Sequence, residues 1–193
     1  MTSSVRGFTD LIDVEQQQAV YRALLRGFSY PGVATPLPSS GVNAVDAICA
    51  TLVDENADLW LDEGTIPSRL VSSLGCQLVE PSVADLLVAR GDRFALTSDD
   101  PKLGTLDRPD ASATIVLACQ SFENGIEVRV TGPGVESRNT FFVAGLSVDW
   151  LVARDDWCCR YPMGVDLLLV DAKNVVGIPR TSSLDYDSTA TTA

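Results

Sequence analysis

The spacing of apolar positions in this chain of 193 residues shifts between helical and strand periods several times. Tyr21, Leu24, Leu25 and Phe28 recur at helical spacing, behind Asp13 as N-cap. They predict a helix ending near Ser29, with Arg22 and Arg26 one turn apart and Pro31-Gly32 as its stop. Thr35 to Pro38 reads as an extended linker. A second helix is expected from about Asn43 to Asn56, with Val45, Ile48, Leu52 and Val53 as its stripe. Asp58 to Asp62 then alternates like a short strand. Thr65 heads a third expected helix, Ile66 to Leu74, with Pro67 early and Gly75 at its end.

Cys76 to Glu80 reads as a strand, Pro81 to Ala89 as a short helix, and Arg93 to Thr97 as a strand. Ser98 to Arg108 is polar and loop-like. Thr114 to Ser121 is a continuous apolar run, as in a central strand. Gly125 opens an alternating partner, Ile126 to Val130, closed by Gly132-Pro133-Gly134. Val148 to Asp155 reads as helix, and Val165 to Val170 with Asn174 to Ile178 as a final strand pair. One domain spanning 1–193 is expected, with residues 1–8 and 185–193 flexible. Helices dominate the first half and short strands run through both, so the fold class is α/β, a mixed sheet covered by helices.

Composition narrows the chemistry. Asp plus Glu is 26 against 14 for Lys plus Arg, a net charge of -12 that argues against nucleic-acid and anionic-membrane binding. No apolar run approaches a membrane span, and the first residues carry no apolar segment of the kind that secretion needs. The five cysteines (Cys49, Cys76, Cys119, Cys158, Cys159) include no Cys-x-x-Cys, which reads as reduced cytoplasmic thiols. The chain contains no histidine, which removes Ser-His-Asp and Cys-His catalysis and His-ligated zinc; no metal and no cofactor is expected. The two lysines, Lys102 in a loop and Lys173 in a turn, are poorly placed for a buried Schiff base.

Four constellations remain, each with a functional and a structural side. Arg22 and Arg26, leading into Tyr30-Pro31-Gly32, are either an anion fork or a solvated helix face. Gly132 and Gly134 permit close approach to a ligand, or form a plain turn. Asp166, entering the apolar run Leu167 to Val170, is a base, a ligand contact or an ion-pair partner. Arg180 and Thr181 follow a strand, where a rim arginine beside hydroxyls suits a phosphate or carboxylate; Arg180 is equally a partner for Asp166.

Six segments in order resemble the PhnH family, subunits of bacterial carbon–phosphorus lyase systems. They are Tyr21-Arg22 to Tyr30-Pro31-Gly32; Leu52-Val53-Asp54 with Leu59-Trp60-Leu61-Asp62; Gly104-Thr105 to Ser112-Ala113-Thr114; Gly132-Pro133-Gly134-Val135; Tyr161-Pro162-Met163-Gly164-Val165-Asp166-Leu167; and Gly177-Ile178-Pro179-Arg180-Thr181. The resemblance runs from about residue 9 to 184. It departs from the family pattern at Asp110, Arg108 and Tyr161, where Glu, an aromatic residue and Phe are usual.

The resemblance implies a three-layer sandwich with a mixed sheet, like the large domain of PLP-dependent transferases but without PLP. It implies a homodimer that joins other core subunits of the G, I, J and L types in the cytoplasm. With those of the G, I and L types the chain would support displacement of adenine from ATP by a phosphonate, giving alpha-D-ribose 1-methylphosphonate 5-triphosphate. A separate radical-SAM subunit would break the C–P bond. The role expected here is accessory rather than catalytic. Arg180, Thr181, Asp166, Arg26, Gly132 and Gly134 are the candidates for contact with a phosphonate or nucleoside triphosphate. A free-standing small-molecule binder or orphan enzyme on the same fold is the alternative.

Overall fold

The computed structural model describes residues 12–39, 41–63, 65, 75–96 and 99–187. Helix α1 (Val14–Ser29) starts where the sequence predicts: the Asp13 carboxylate accepts from the Gln16 amide, and the Gln16 side chain accepts from the Asp13 amide. Its inward face is turned from the expected stripe. Val20, Ala23, Leu24 and Gly27 are buried, while Tyr21 and Leu25 remain 49% exposed each. The reason is a close approach to the sheet. A Cβ on Gly177 would lie 2.6 Å from the Gly27 carbonyl carbon, so only the small-residue side of the helix can lie there.

The remaining elements are β1 (Thr35–Pro36), α2 (Ala44–Leu52), β2 (Asp58–Leu61), β3 (Gln77–Leu78), β4 (Leu86–Arg90), β5 (Thr114–Ala118), β6 (Ser121–Thr131), β7 (Asn139–Ala144), α3 (Val148–Cys158), β8 (Asp166–Val170), β9 (Asn174–Ile178) and β10 (Ser183–Tyr186). Seven strands form one mixed sheet in the order β1-β9-β8-β5-β4-β2-β3, and β10-β6-β7 form a second, antiparallel one. Strands β8, β5, β4, β2 and β3 run parallel; β9 and β1 extend the sheet antiparallel. The α/β class and the mixed sheet are as expected.

Both faces of the large sheet are covered, so its central strands are apolar on both sides. Val88, Val116, Leu168 and Val175 pack against Val20, Leu24, Ile48 and Cys49 of α1 and α2. Their neighbours Leu87, Ile115, Leu117 and Leu169 face Trp150, Leu151 and Trp157 of α3 together with Val128, Val130 and Val143 of the small sheet.

This double burial explains the main corrections. Pro81 to Ala89 was expected as helix, but Leu86 to Ala89 lie in β4, between β2 and β5. A short apolar run buried on both faces has no period that separates strand from helix. Arg93 to Leu96 form no strand; Phe94 and Leu96 pack inward from an irregular segment, with the Phe94 ring 4.8 Å from Trp150. The partner of β5 is not β6, which belongs to the small sheet, but β4 and β8. Helix α2 stops at Leu52 rather than Asn56, because Asp54 turns the chain by accepting from the Asn56 amide. Asp185 and Tyr186, expected in a flexible tail, belong to β10. The expected helix Ile66 to Leu74, the segment 1–8 and residues 188–193 lie outside the described residues.

Candidate functional site

The segment Tyr161 to Ser182 runs out of α3, through β8 and β9, and back beneath α3. Asp166 is the first residue of β8, and Arg180 stands two residues past the end of β9. Because β9 is antiparallel to β8, Ile178 pairs with Leu167, which brings Arg180 to Asp166. The Asp166 carboxylate accepts from the Arg180 amide at 2.7 Å, from its Nε at 3.3 Å and from its Nη2 at 2.5 Å. Arg180 Nη1 donates to the Pro109 carbonyl at 2.6 Å. The pair is mostly buried, at 22% and 16% exposure. Asp166 and Arg180 thus form the ion pair that the sequence offers as one reading of them, and Arg180 donates to both Asp166 oxygens.

The pairing corrects the expected position of Arg180 at the carboxyl rim of the sheet. Asp166 is in register with Thr114, and Thr114 with Leu86, each at the start of a parallel strand. Arg180 therefore lies at the amino edge of the parallel strands, opposite the rim where α/β sheets usually bind ligands.

A second arginine, not among the expected residues, holds the same turn. Arg154 of α3 is 2% exposed; its Nη2 donates to the carbonyls of Pro179 at 2.8 Å and Ser182 at 2.7 Å, and its Nη1 to Asp155 at 2.9 Å. Tyr186 of β10 donates its hydroxyl to the other Asp155 oxygen at 2.9 Å, and its pKa is pushed up by burial and by that carboxylate. The helical spacing of Trp150, Arg154 and Trp157, all buried, was the signal: Arg154 occupies a core position.

The glycines of the Gly132-Pro133-Gly134 loop serve the protein's own packing. Both have positive φ, +129 and +84. A Cβ on Gly132 would meet the Thr181 carbonyl oxygen at 3.0 Å, and one on Gly134 the Ser29 carbonyl oxygen at 2.7 Å. The loop is thus wedged between the end of α1 and the Arg180 turn. Two clefts flank it. One of about 530 Å³ is lined by Arg154, Tyr161, Arg180, Thr181, Ser182 and Ser183 among others. The other, about 600 Å³, joins Phe28, Gly134, Asp166 and Thr181. Five of the six expected residues therefore meet at one corner. Arg26 does not line either cleft; it lies on the exposed face of α1, its guanidinium 5.5 Å from the Tyr30 ring centre.

Chemically the corner is close to neutral. Arg154 and Arg180 are matched by Asp155 and Asp166. What remains free to meet a ligand is hydroxyl chemistry, chiefly at the exposed Thr181, Ser183 and Tyr161. Lys102 is paired with Asp85 at 2.6 Å, and Lys173 sits exposed in the β8–β9 turn. Cys49 and Cys119 are held as thiols, both pushed up by burial, Cys119 to about 12.

The chain is similar in sequence to known proteins along most of its length. Residues 6–185 match the family described as bacterial phosphonate metabolism protein (PhnH). The chain belongs to the PhnH family. The chain is 33% identical over 170 residues to the putative C-P lyase subunit protein HtxG of Stutzerimonas stutzeri, covering 88% of this chain and 86% of that protein. It is 28% identical over 195 residues to the alpha-D-ribose 1-methylphosphonate 5-triphosphate synthase subunit PhnH of Rhizobium meliloti (strain 1021), covering 90% and 92%. Phosphonate metabolism is thus the setting of this PhnH-family chain. Among the described residues no helix is long and apolar enough to cross a membrane.

Proposed function

We propose that this chain is an accessory subunit that supports formation of alpha-D-ribose 1-methylphosphonate 5-triphosphate from ATP and a phosphonate, with release of adenine. It works in the cytoplasm as a single-domain homodimer, beside subunits of the G, I, J and L types. The C–P bond is broken elsewhere, on a radical-SAM subunit. The three-layer likeness to PLP-dependent transferases without PLP belongs to the same reading. The observation that carries the accessory role is the mutual engagement of Asp166 and Arg180. With both Asp166 oxygens accepting from Arg180, the carboxylate is poorly disposed to act as a base, and the guanidinium is largely committed to the fold.

A second reading rests on the cleft of about 530 Å³, where the exposed Thr181 hydroxyl stands beside two arginines. In that reading Thr181, Arg180, Asp166, Gly132 and Gly134 contact the phosphonate or triphosphate, with Arg26 more distant. A stand-alone binder of phosphorylated small molecules is the version of it that needs no partner subunits.

Reconstitution with the partner subunits separates these readings. Phosphonate–ATP coupling is measured for the wild type, Thr181→Ala and Arg180→Ala. Under the accessory reading Thr181→Ala couples normally, and Arg180→Ala loses activity only in proportion to its loss of folded protein. A Thr181→Ala protein that assembles fully but raises the KM for phosphonate or ATP tenfold favours ligand contact. A wild-type chain that joins no partner subunit removes the accessory reading.

A further inference from the structure

Helix α1 turns its small-residue side to the sheet, which leaves larger apolar side chains outside. Val14, Tyr21 and Leu25 are 70%, 49% and 49% exposed, and they share one side of the helix. That side borders α2, where Gln17 donates to the Ala50 carbonyl at 3.0 Å and a groove of about 430 Å³ opens between Tyr21 and Thr51. Along the adjoining side run Arg22 and Arg26. Neither makes an ion pair with any described acid: Arg22 donates to Gln18 at 3.3 Å, and Arg26 lies over the Tyr30 ring. Glu15, in the first turn, is the sole acid of this helix.

Two uncommitted arginines beside exposed aromatic and aliphatic groups are unexpected on a chain of net charge -12. Elsewhere Arg90, Arg93, Arg129 and Arg180 are matched by neighbouring carboxylates, whereas Arg138 and Arg160, like the α1 pair, make no ion pair among the described residues. A basic strip with an apolar stripe beside it complements an acidic amphipathic helix. A second copy of this chain is the wrong occupant. A two-fold contact would set the same patch against itself, and that patch offers one acid of its helix, Glu15, to answer two arginines. The negative charge of the whole molecule disfavours nucleic acid as well.

We infer that the exposed Tyr21 and Leu25, with the adjoining groove lined by Gln17, Gln18, Arg22 and Thr51 and with Arg26 beside it, dock an acidic amphipathic helix of another subunit. The inference rests on the accessory-subunit reading and names the surface through which that role is carried out. Partner leucines or aromatics pack on Tyr21 and Leu25, and partner Asp or Glu side chains meet the two guanidiniums.

The test is co-expression with the other carbon–phosphorus lyase subunits of the same system. It compares the wild type, the double variant Arg22→Glu/Arg26→Glu and Leu25→Asp, with helix content and Tm recorded for each alone. Both variants alter solvent-facing atoms, so they are expected to fold as the wild type does. Each should weaken assembly at least roughly tenfold, and the wild-type association should fall with added salt. A photo-cross-linking phenylalanine analogue in place of Tyr21 should join an acidic helical segment of a partner subunit. Folded variants that assemble like the wild type overturn the docking face alone, as does a cross-link to a second copy of this chain. A wild-type chain that associates with none of the subunits removes the face and the accessory reading together.

Discussion

The Arg180 corner and the outer side of α1 both carry two arginines, and they use them in opposite ways. At the corner every guanidinium is turned inward: Arg154 onto the carbonyls of Pro179 and Ser182, Arg180 onto Asp166 and the Pro109 carbonyl. On α1, Arg22 and Arg26 face solvent beside Tyr21 and Leu25. One arginine of each pair looks alike in sequence, Arg26 shortly before Pro31-Gly32 and Arg180 directly after Gly177-Ile178-Pro179. The difference lies in what the neighbouring backbone offers. The corner has carbonyls and carboxylates that need donors, and α1, with its backbone satisfied internally, has none. Internal satisfaction marks structure, and its absence marks a surface left for something else.

The comparison breaks most readily at Arg154. Arg154→Ala empties a core position and leaves two carbonyls and Asp155 without their donor. It should cost about 3–5 kcal/mol, read as a fall in the urea midpoint. A loss below about 1 kcal/mol would mean that the turn does not depend on Arg154. Next comes the Asp166–Arg180 pair. Asp166→Ala and Arg180→Ala should each cost about 2–3 kcal/mol, since each strands a partly buried partner. The double variant should cost clearly less than the sum, with a coupling of about 1–3 kcal/mol in a double-mutant cycle. Strict additivity would contradict a direct brace.

How much of this was readable beforehand depended on range. The cap at Asp13, the strand pair around Lys173 and the possible Asp166–Arg180 contact are local in sequence, and local patterns predicted them. The position of the pair was not readable, because the rim it occupies depends on β9 running against β8 while β5, β4 and β2 run with it. Leu86 to Ala89 passed for helix for a related reason: burial on both faces erases the period. The orientation of α1 was hidden in Gly27 and Gly177, 150 residues apart, whose meeting turned Tyr21 and Leu25 outward. Arg154 was missed because Val148 to Asp155 was read only as a helix, without a buried face, although Trp150 and Trp157 flank it at helical spacing.

The interior thiols make a smaller, pH-dependent prediction. Cys49 is fully buried and Cys119 is pushed up to about 12, both from a usual value of 9.0, and burial is the main cause in each. In the unfolded chain these thiols lose their protons as pH passes about 9, while in the folded chain they keep them. The unfolded state then binds fewer protons, so stability is level below pH 9 and falls above it. Cys49 alone contributes a slope of about 1.4 kcal/mol per pH unit. Urea midpoints at pH 8, 9 and 10 should show the fall begin between the last two, and Cys49→Ala should flatten it. A wild-type midpoint that holds steady to pH 10 would mean that water reaches these thiols in the fold.

The smallest effect is expected on α1, and its smallness is the point. Leu25→Gln removes an apolar side chain that is half in water and touches the sheet little, so the stability change should stay within about 0.5 kcal/mol. Leu24→Gln, one residue away and 3% exposed, puts an amide into the packed layer against the sheet and should cost several times more. The two variants differ by one step around the same helix, so their ratio reports its orientation directly. Near-equal losses would mean that α1 is rotated toward the stripe read from sequence, with Leu25 packed inside. A large loss at Leu24 with none at Leu25 leaves Leu25 as side-chain surface that the isolated chain does not need for its own stability.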